Sequence, residues 1–313
     1  MHDPVARCLA HAPVEGGNET PVPGVWVYRR DAPAEAESAV YARGVVLVVQ
    51  GRKQARVGDD RYVYDVDHYL VTAVPLPVGS EILVASRERP FLSLAVDFEL
   101  AAVRELVALA GDTLAVDAAA PLQRGLAACA VTAPVRGLTA RLIDLLDHPE
   151  DVAVLAPLYR RELLYHVLRG PRGGLLRAVA MGRGQQRAIG DVLATIHADC
   201  TRSFTVPELA GMAAMSESVF YEAFRSVTAA TPLQYIKRLR LQEAHRRLTR
   251  GVTDVSGAAR GVGYASMSQF SREFSRLFGA APSAIRARQR TDGGGRSRPD
   301  RRVGTDEGPA APG

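Results

Sequence analysis

Cysteine is scarce in this chain: Cys8, Cys129 and Cys200 lie far apart and form no Cys-x-x-Cys pair. That spacing argues against a disulfide framework and against a thiolate zinc site, so the three read as plain small residues. Long apolar runs are missing too. No stretch approaches the roughly 18 residues of a membrane span, and the opening segment holds Asp3, Pro4 and Arg7 where a signal peptide needs an apolar core. A soluble, cytoplasmic protein with no membrane partner is expected. What is present is an ordinary globular composition, 313 residues with 47% apolar and 23% charged, long enough for two domains.

Charge is unevenly spread. Residues 195–290 hold 14 Lys/Arg against 7 Asp/Glu, while 1–194 hold 21 against 23 and 291–313 hold 4 against 4. A basic segment beside a near-neutral larger one suits a polyanion-binding module attached to something else. On charge alone, a solvated helical surface accounts for it equally well.

From Val25 to Val96 the apolar residues come in short β-branched runs, such as Val45-Val46-Leu47-Val48-Val49 between Gly44 and Gly51. Arg61 to Asp67 alternates as a half-buried strand; His68–Val74, Glu81–Ala85 and Phe91–Val96 follow, with turns expected at Gly58-Asp59-Asp60 and Gly79-Ser80. This part reads as all-β, a small barrel or sandwich. Gly51-Arg52-Lys53 reads as a basic turn without phosphate-loop spacing. After Asp97 the period becomes helical. Leu100, Val103, Leu106, Val107 and Ala110 form one stripe and Leu138, Leu142, Leu145 and Leu146 a second. Asp151–Arg169 form a third, stopped by Gly170-Pro171 and Gly173-Gly174. Leu155, Leu158 and Leu163 on this third stripe pack either within the domain or in a homodimer. Gly182-Arg183-Gly184 reads as a hinge, and the Gly/Pro/Arg-rich tail 291–313 should be disordered.

The strongest signal is a repeat. Ser216 pairs with Ser266, Phe220 with Phe270, Phe224 with Phe274 and Pro232 with Pro282, all offset by 50, and Val206 pairs with Val255 at 49. Each copy is a short helix, a turn and a second amphipathic helix. Thr205 to Glu208 and Ser266 to Gln269 read as capping boxes, with Asp254 and Ser216 as further caps. Two helix-turn-helix modules result, each with a second helix suited to the major groove. Val219, Phe220, Ala223 and Phe224 anchor the first such helix, and Phe270, Phe274, Leu277 and Phe278 the second. The opposite faces carry Glu217, Ser218, Tyr221, Glu222 and Arg225, and Ser268, Gln269, Arg272, Ser275 and Arg276. Arg and Gln present paired donors and acceptors that match guanine and adenine edges. Residues 234–244 read as a linking helix, a spacer that would let both heads enter successive major-groove segments about 34 Å apart.

These residues resemble the AraC/XylS family of bacterial transcription regulators. The similarity runs through Ala213–Phe224, Pro232–Ala244, Val262–Phe274 and Leu277–Pro282. By that resemblance base contacts fall at Ser218, Tyr221 and Glu222 and at Ser268, Gln269 and Arg272; Glu222 departs from the basic residue often found there and either accepts from a cytosine amino group or deters wrong sequences. Arg225 and Arg276 extend the two reading faces. The front half is similar to the AraC-type sensor domain through Pro23–Arg29, Val48–Lys53, Tyr64–Val71, Pro75–Val78 and Glu88–Leu92. The implied fold is a two-domain α+β chain: a cupin-like β-barrel with flanking dimerisation helices over 1–182, and an all-α double helix-turn-helix module over 189–290.

The implied function is sequence-specific binding of double-stranded promoter DNA, modulated by a small-molecule effector in the barrel, with RNA polymerase as a further partner of an activator. Trp26, Tyr62, Tyr64, Tyr69 and Phe91 are the effector-pocket candidates, each also readable as core. A cupin-type metal enzyme fused to a DNA-binding module is the rival, but such a centre needs several inward histidines, and of seven only His68 lies in the strand-rich part. No metal, cofactor or catalytic residue is therefore expected. An architectural protein that coats DNA without sequence preference is the other alternative.

Overall fold

In the computed structural model, which describes residues 3–114, 123–181 and 184–293, ten strands form one antiparallel sheet. They are β1 (Gly16–Glu19), β2 (Val25–Arg30), β3 (Ala34–Tyr41), β4 (Gly44–Gln50), β5 (Arg52–Val57), β6 (Asp60–Asp65), β7 (His68–Thr72), β8 (Leu76–Val84), β9 (Phe91–Asp97) and β10 (Leu126–Ala130). The order is β1-β2-β9-β4-β7-β6-β5-β8-β3, with β10 added to β7. β7 and β9 are buried on both faces, which is why Tyr69-Leu70-Val71 and Phe91-Leu92 read as unbroken apolar runs. β5 instead alternates, with Lys53, Ala55 and Val57 inward.

Among the described residues are also twelve α-helices: α1 (Pro4–Ala10), α2 (Leu100–Ala110), α3 (Ala133–Asp144), α4 (Val152–Arg169), α5 (Gly173–Met181), α6 (Gln185–Ala198), α7 (Val206–Met212), α8 (Glu217–Thr228), α9 (Pro232–Thr249), α10 (Val255–Arg260), α11 (Met267–Phe278) and α12 (Pro282–Gly293). Asp3 caps α1 by accepting from Val5 N at 3.0 Å, with Pro4 opening the helix. Arg160 of α4 ties the helical layer to the sheet, donating to Asp97 O at 2.7 Å and Pro23 O at 3.1 Å. On α4, Leu163 is core, Leu155 packs against the core, and Leu158 is exposed.

The chain forms two compact units, Met1–Glu243 and Ala244–Gly313. The larger holds the sheet, α1 to α8 and the first part of α9; the smaller holds the end of α9 and α10 to α12.

Several local expectations need correction. Gly79-Ser80 is no turn: β8 runs through it, and Gly79 pairs with both Ser38 and Arg56. Gly173-Gly174 opens α5 where a stop was expected, because the break lies at Gly170–Arg172. The strand expected to Asp67 ends at Asp65, where the chain turns into β7. Gly182 and Arg183 of the expected hinge, and 294–313 of the expected disordered tail, lie outside the described residues, while 291–293 close α12.

Candidate nucleic-acid interface and effector cavity

The first module is built as the capping pattern dictates. Thr205 Oγ1 accepts from Glu208 N at 3.3 Å while Thr205 N donates back to Glu208 Oε2 at 3.5 Å, so both halves of the box close. The turn that follows passes through Ala214 at φ +53°, a left-handed conformation costly for a residue with a Cβ. Ser216 stands at the cap position of α8, but its hydroxyl faces Ser218 Oγ at 3.4 Å and takes no amide hydrogen. Phe220, Ala223, Phe224 and Val227 are buried, with Phe224 edge-on to Tyr235 at 5.5 Å. Val219, expected with them, is exposed instead. Ser218, Tyr221, Glu222 and Arg225 all lie on the exposed side of α8.

The second module repeats this plan in its own unit. Asp254 Oδ1 accepts from Gly257 N at 2.6 Å to cap α10, and Ser266 Oγ accepts from Gln269 N at 3.3 Å to cap α11. The box expected at Ser266 closes only on that side, because Gln269 Nε2 donates to Glu273 Oε1 at 3.2 Å. Phe270 and Phe274 are fully buried; Leu277 and Phe278 are half-buried, with Phe278 stacked on His245 at 4.5 Å. Ser268, Gln269, Arg272 and Arg276 are exposed. Arg272 Nε donates to Ser268 O at 3.2 Å, and among the described residues no carboxylate pairs with Arg225, Arg272 or Arg276. The two helices end alike, at Ala229 (φ +56°) and Gly279 (φ +68°), again offset by 50. Not every basic residue is available for phosphate. Arg240 of α9 is committed to the carbonyls of Cys200, Thr201 and Arg202.

Within the larger unit, the sheet domain grips the end of α8. Arg124 Nη1 donates to Arg225 O at 2.9 Å and Ser226 O at 2.7 Å, while its Nε donates to Asp60 Oδ2 at 2.8 Å. Gly125 N donates to Val227 O at 3.0 Å. Three of the last four carbonyls of the helix are thus satisfied by two adjacent residues. A Cβ at Gly125 would lie 2.4 Å from Val74 Cγ2, so only glycine lets the backbone approach. Beside this seam, Tyr235 donates its hydroxyl to Pro75 O at 2.6 Å and accepts from His197 Nε2 at 2.7 Å. That pairing fixes the Nε2–H tautomer, and burial, with Arg43 adding to it, lowers His197 to about 4.

The barrel holds a cavity of about 300 Å³ that is partly open to solvent. Its walls are mainly apolar, with Val40, Val45, Val46 and Ala95; its polar groups include Tyr28, Tyr41, Lys53, Tyr64, Ser80 and Ser93, and Glu37, Thr72 and Asp97 also line it. Tyr41 Oη lies 2.8 Å from Tyr64 Oη and donates to Ser80 Oγ at 3.1 Å. Burial, reinforced by the Tyr41 hydroxyl, holds the Tyr64 phenol well above its usual range and therefore neutral. Of the five pocket candidates from the sequence, only Tyr64 lines this cavity; Phe91 backs it, edge-on to Tyr28 at 6.2 Å. Trp26 is half-buried elsewhere on β2, Tyr62 lies by Arg124 and Arg172, and Tyr69 is core. Sequence reasoning missed Tyr28, Tyr41 and Lys53. The expected basic turn stops two residues short: Gly51 (φ +84°) makes the bend, Arg52 opens β5 exposed, and Lys53 points inward on the same strand. Period-two alternation from Lys53 through Ala55 to Val57 is the signal that finds it.

His68 is exposed at the start of β7, facing Asp65 Oδ1 at 3.1 Å, and does not line the cavity. The one cluster of metal-ligand type among the described residues, His148, Glu150 and Asp151, is exposed and does not line the cavity.

Comparison with known proteins agrees with this geometry. Residues 21–175 match the model of the AraC-type transcriptional regulator N-terminus, and residues 209–288 match that of a helix-turn-helix domain. Among curated relatives, an AraC-like transcription regulator of Streptomyces lividans is 32% identical over 151 residues, 48% of this chain and 50% of that protein. The RCS-specific HTH-type transcriptional activator RclR of Escherichia coli is 42% identical over 88 residues, 28% of this chain and 31% of RclR. The chain thus spans half or less of the length of these relatives. The solved structure of ToxT from Vibrio cholerae shares the fold at a TM-score of 0.58 and 12% identity, over 84% of this chain and 97% of that one. With the barrel and the doubled helix-turn-helix unit each matched in its own place, the chain belongs to the AraC-type transcriptional regulators.

Proposed function

We propose that this protein is a sequence-specific DNA-binding transcription regulator, working in the cytoplasm as an activator and controlled by a small molecule bound in its barrel. The observation that carries the reading is the duplicated module: two phenylalanine-anchored helices whose outer faces offer Ser, Gln, Tyr, Glu and Arg to solvent. Such side chains discriminate base edges, and arginines without ion-pair partners are ready for base or phosphate. Glu222 and Arg272 occupy equivalent places on the two helices, so the heads read differently: a carboxylate accepts from cytosine, a guanidinium donates to guanine.

In this reading residues 1–182 sense the effector and support a homodimer, residues 189–290 bind promoter DNA, and RNA polymerase is the partner at activated promoters. No catalytic role is assigned. An effector changes DNA engagement only if it binds two conformations unequally. The Arg124 and Gly125 grip on α8 supplies a physical link between the cavity-bearing sheet and the first reading head. Fluorescence anisotropy of the full chain on labelled DNA from upstream of its own gene tests the assignment. Binding should exceed that to a scrambled duplex by about 10³-fold or more and weaken steeply with salt. Equal affinity for both duplexes would point to an architectural protein.

A further inference from the structure

Lys53 is the most anomalous residue in the barrel. It is 6% exposed, occupies an inward position of β5 between Tyr64 on β6 and Ile82 on β8, and lines the cavity. Its ammonium makes no hydrogen bond or ion pair among the described residues. It is surrounded instead by rings, 4.2 Å from the centre of Tyr28, 5.5 Å from Tyr41 and 5.6 Å from Phe91. Ring quadrupoles offset only part of the cost of taking a cation from water, and an inward strand position would be filled at lower free energy by an apolar side chain.

The carboxylates that line the same cavity do not neutralise it. Glu37 is directed to Arg30 Nη2 at 3.4 Å, with its side chain 66% exposed. Asp97 stands four residues along β9 from Ser93, the partner of Tyr28, a separation of about 13 Å along the strand. Besides those rings the cavity offers Lys53 the hydrogen-bonded hydroxyls of Tyr41, Tyr64 and Ser80, which can each turn toward an oxygen acceptor. Beyond them the walls are apolar.

We propose that the cavity receives a small organic anion, a carboxylate on an apolar body, whose charged end pairs with Lys53 and accepts from the tyrosine hydroxyls. This deepens, and rests on, the reading of the barrel as an effector site. The apolar body occupies the space between Val40, Val46 and Ala95.

Matched probes separate charge from shape. Naphthalene-2-carboxylate, benzoate and octanoate are titrated into the full chain by calorimetry, each against its neutral amide. Replacing the carboxylate by the amide should weaken binding about tenfold to a hundredfold, the range of one buried charge-assisted hydrogen bond. Lys53→Met, neutral and of similar length, should reduce that ratio to near one. The same variant should melt about 2–4 °C higher without ligand, since a cation kept for a partner is a burden until the partner arrives. If none of the three carboxylates is preferred over its amide, or if Lys53→Met retains the preference, the anion site is refuted. A lower melting point for Lys53→Met, with unchanged ligand preference, would assign Lys53 to packing. Operator binding is measured separately on the same preparations. Lys53-dependent carboxylate binding without operator preference would remove the regulator reading and leave the anion site standing.

Discussion

Replacing Arg124 by alanine should loosen the first reading helix without unfolding the barrel. The side chain makes two hydrogen bonds to the last-turn carbonyls of α8 and one to Asp60, and it is 26% exposed. A charge-assisted bond contributes about 1.5–3 kcal/mol when dry, but water can reach these carbonyls once the guanidinium is gone, so about 1–2 kcal/mol is the expected local loss. Gly125 N still holds Val227 O, which keeps the seam from opening entirely. Hydrogen exchange followed by mass spectrometry reads this directly. Amides in the second half of α8 should exchange about 5–30-fold faster in Arg124→Ala than in the parent, while those of β7 and β9 stay unchanged. Exchange in α8 within twofold of the parent would show that the clamp carries no energy. Equal acceleration throughout the sheet would show that Arg124 supports the barrel itself.

Other outcomes follow from the same geometry. Ala214→Gly relieves a left-handed alanine in an exposed turn and should stabilise the larger unit by about 0.5–1 kcal/mol in urea melts. His197, lowered to about 4 from an ordinary 6.5, is neutral in the fold at pH 7. The unfolded chain takes up its proton first on acidification, so stability present above pH 6.5 is lost as the pH falls toward 4, by about 2–3 kcal/mol; His197→Gln should flatten that part of the melting profile. Phe274→Ala empties a fully buried site and should cost the smaller unit about 3–5 kcal/mol, seen as its early melting by circular dichroism. Arg272→Ala should cost about 1–3 kcal/mol on the preferred DNA and relax the base preference at one position; uniform loss on every sequence would assign Arg272 to phosphate.

The sequence was most legible where local chemistry and tertiary packing agree. Phe220 and Phe224, Phe270 and Phe274, Thr205 with Glu208, and Asp254 with Gly257 do locally what their spacing requires, so both modules and their exposed faces could be drawn without coordinates. The strands were legible where both faces are buried, as in β7 and β9. β3 escaped notice because Ala34-Glu35-Ala36-Glu37 carries helix-favouring residues, and only pairing with β8 makes it extended. The cavity was hidden for a related reason. Its polar groups come from β2, β3, β5, β6, β7, β8 and β9, and no local pattern says that Tyr28, Tyr41 and Lys53 meet. Aromatic size drew attention to Tyr69, which strand phase turns away from the cavity, and to Trp26, which shares the phase of Tyr28 on β2 yet lies outside the lining. Glycine was ambiguous in the same way: Gly79 and Gly173 look like breaks, yet one sits within a ladder and the other opens a helix.

The central claim is that the two helices α8 and α11 read bases, and genome-wide footprinting with the purified full chain tests it most directly. The account predicts discrete protected sites sharing one base pattern, with Glu222→Ala and Arg272→Ala each relaxing a different position of it. Uniform protection of genomic DNA, or a pattern that neither substitution alters, would contradict it.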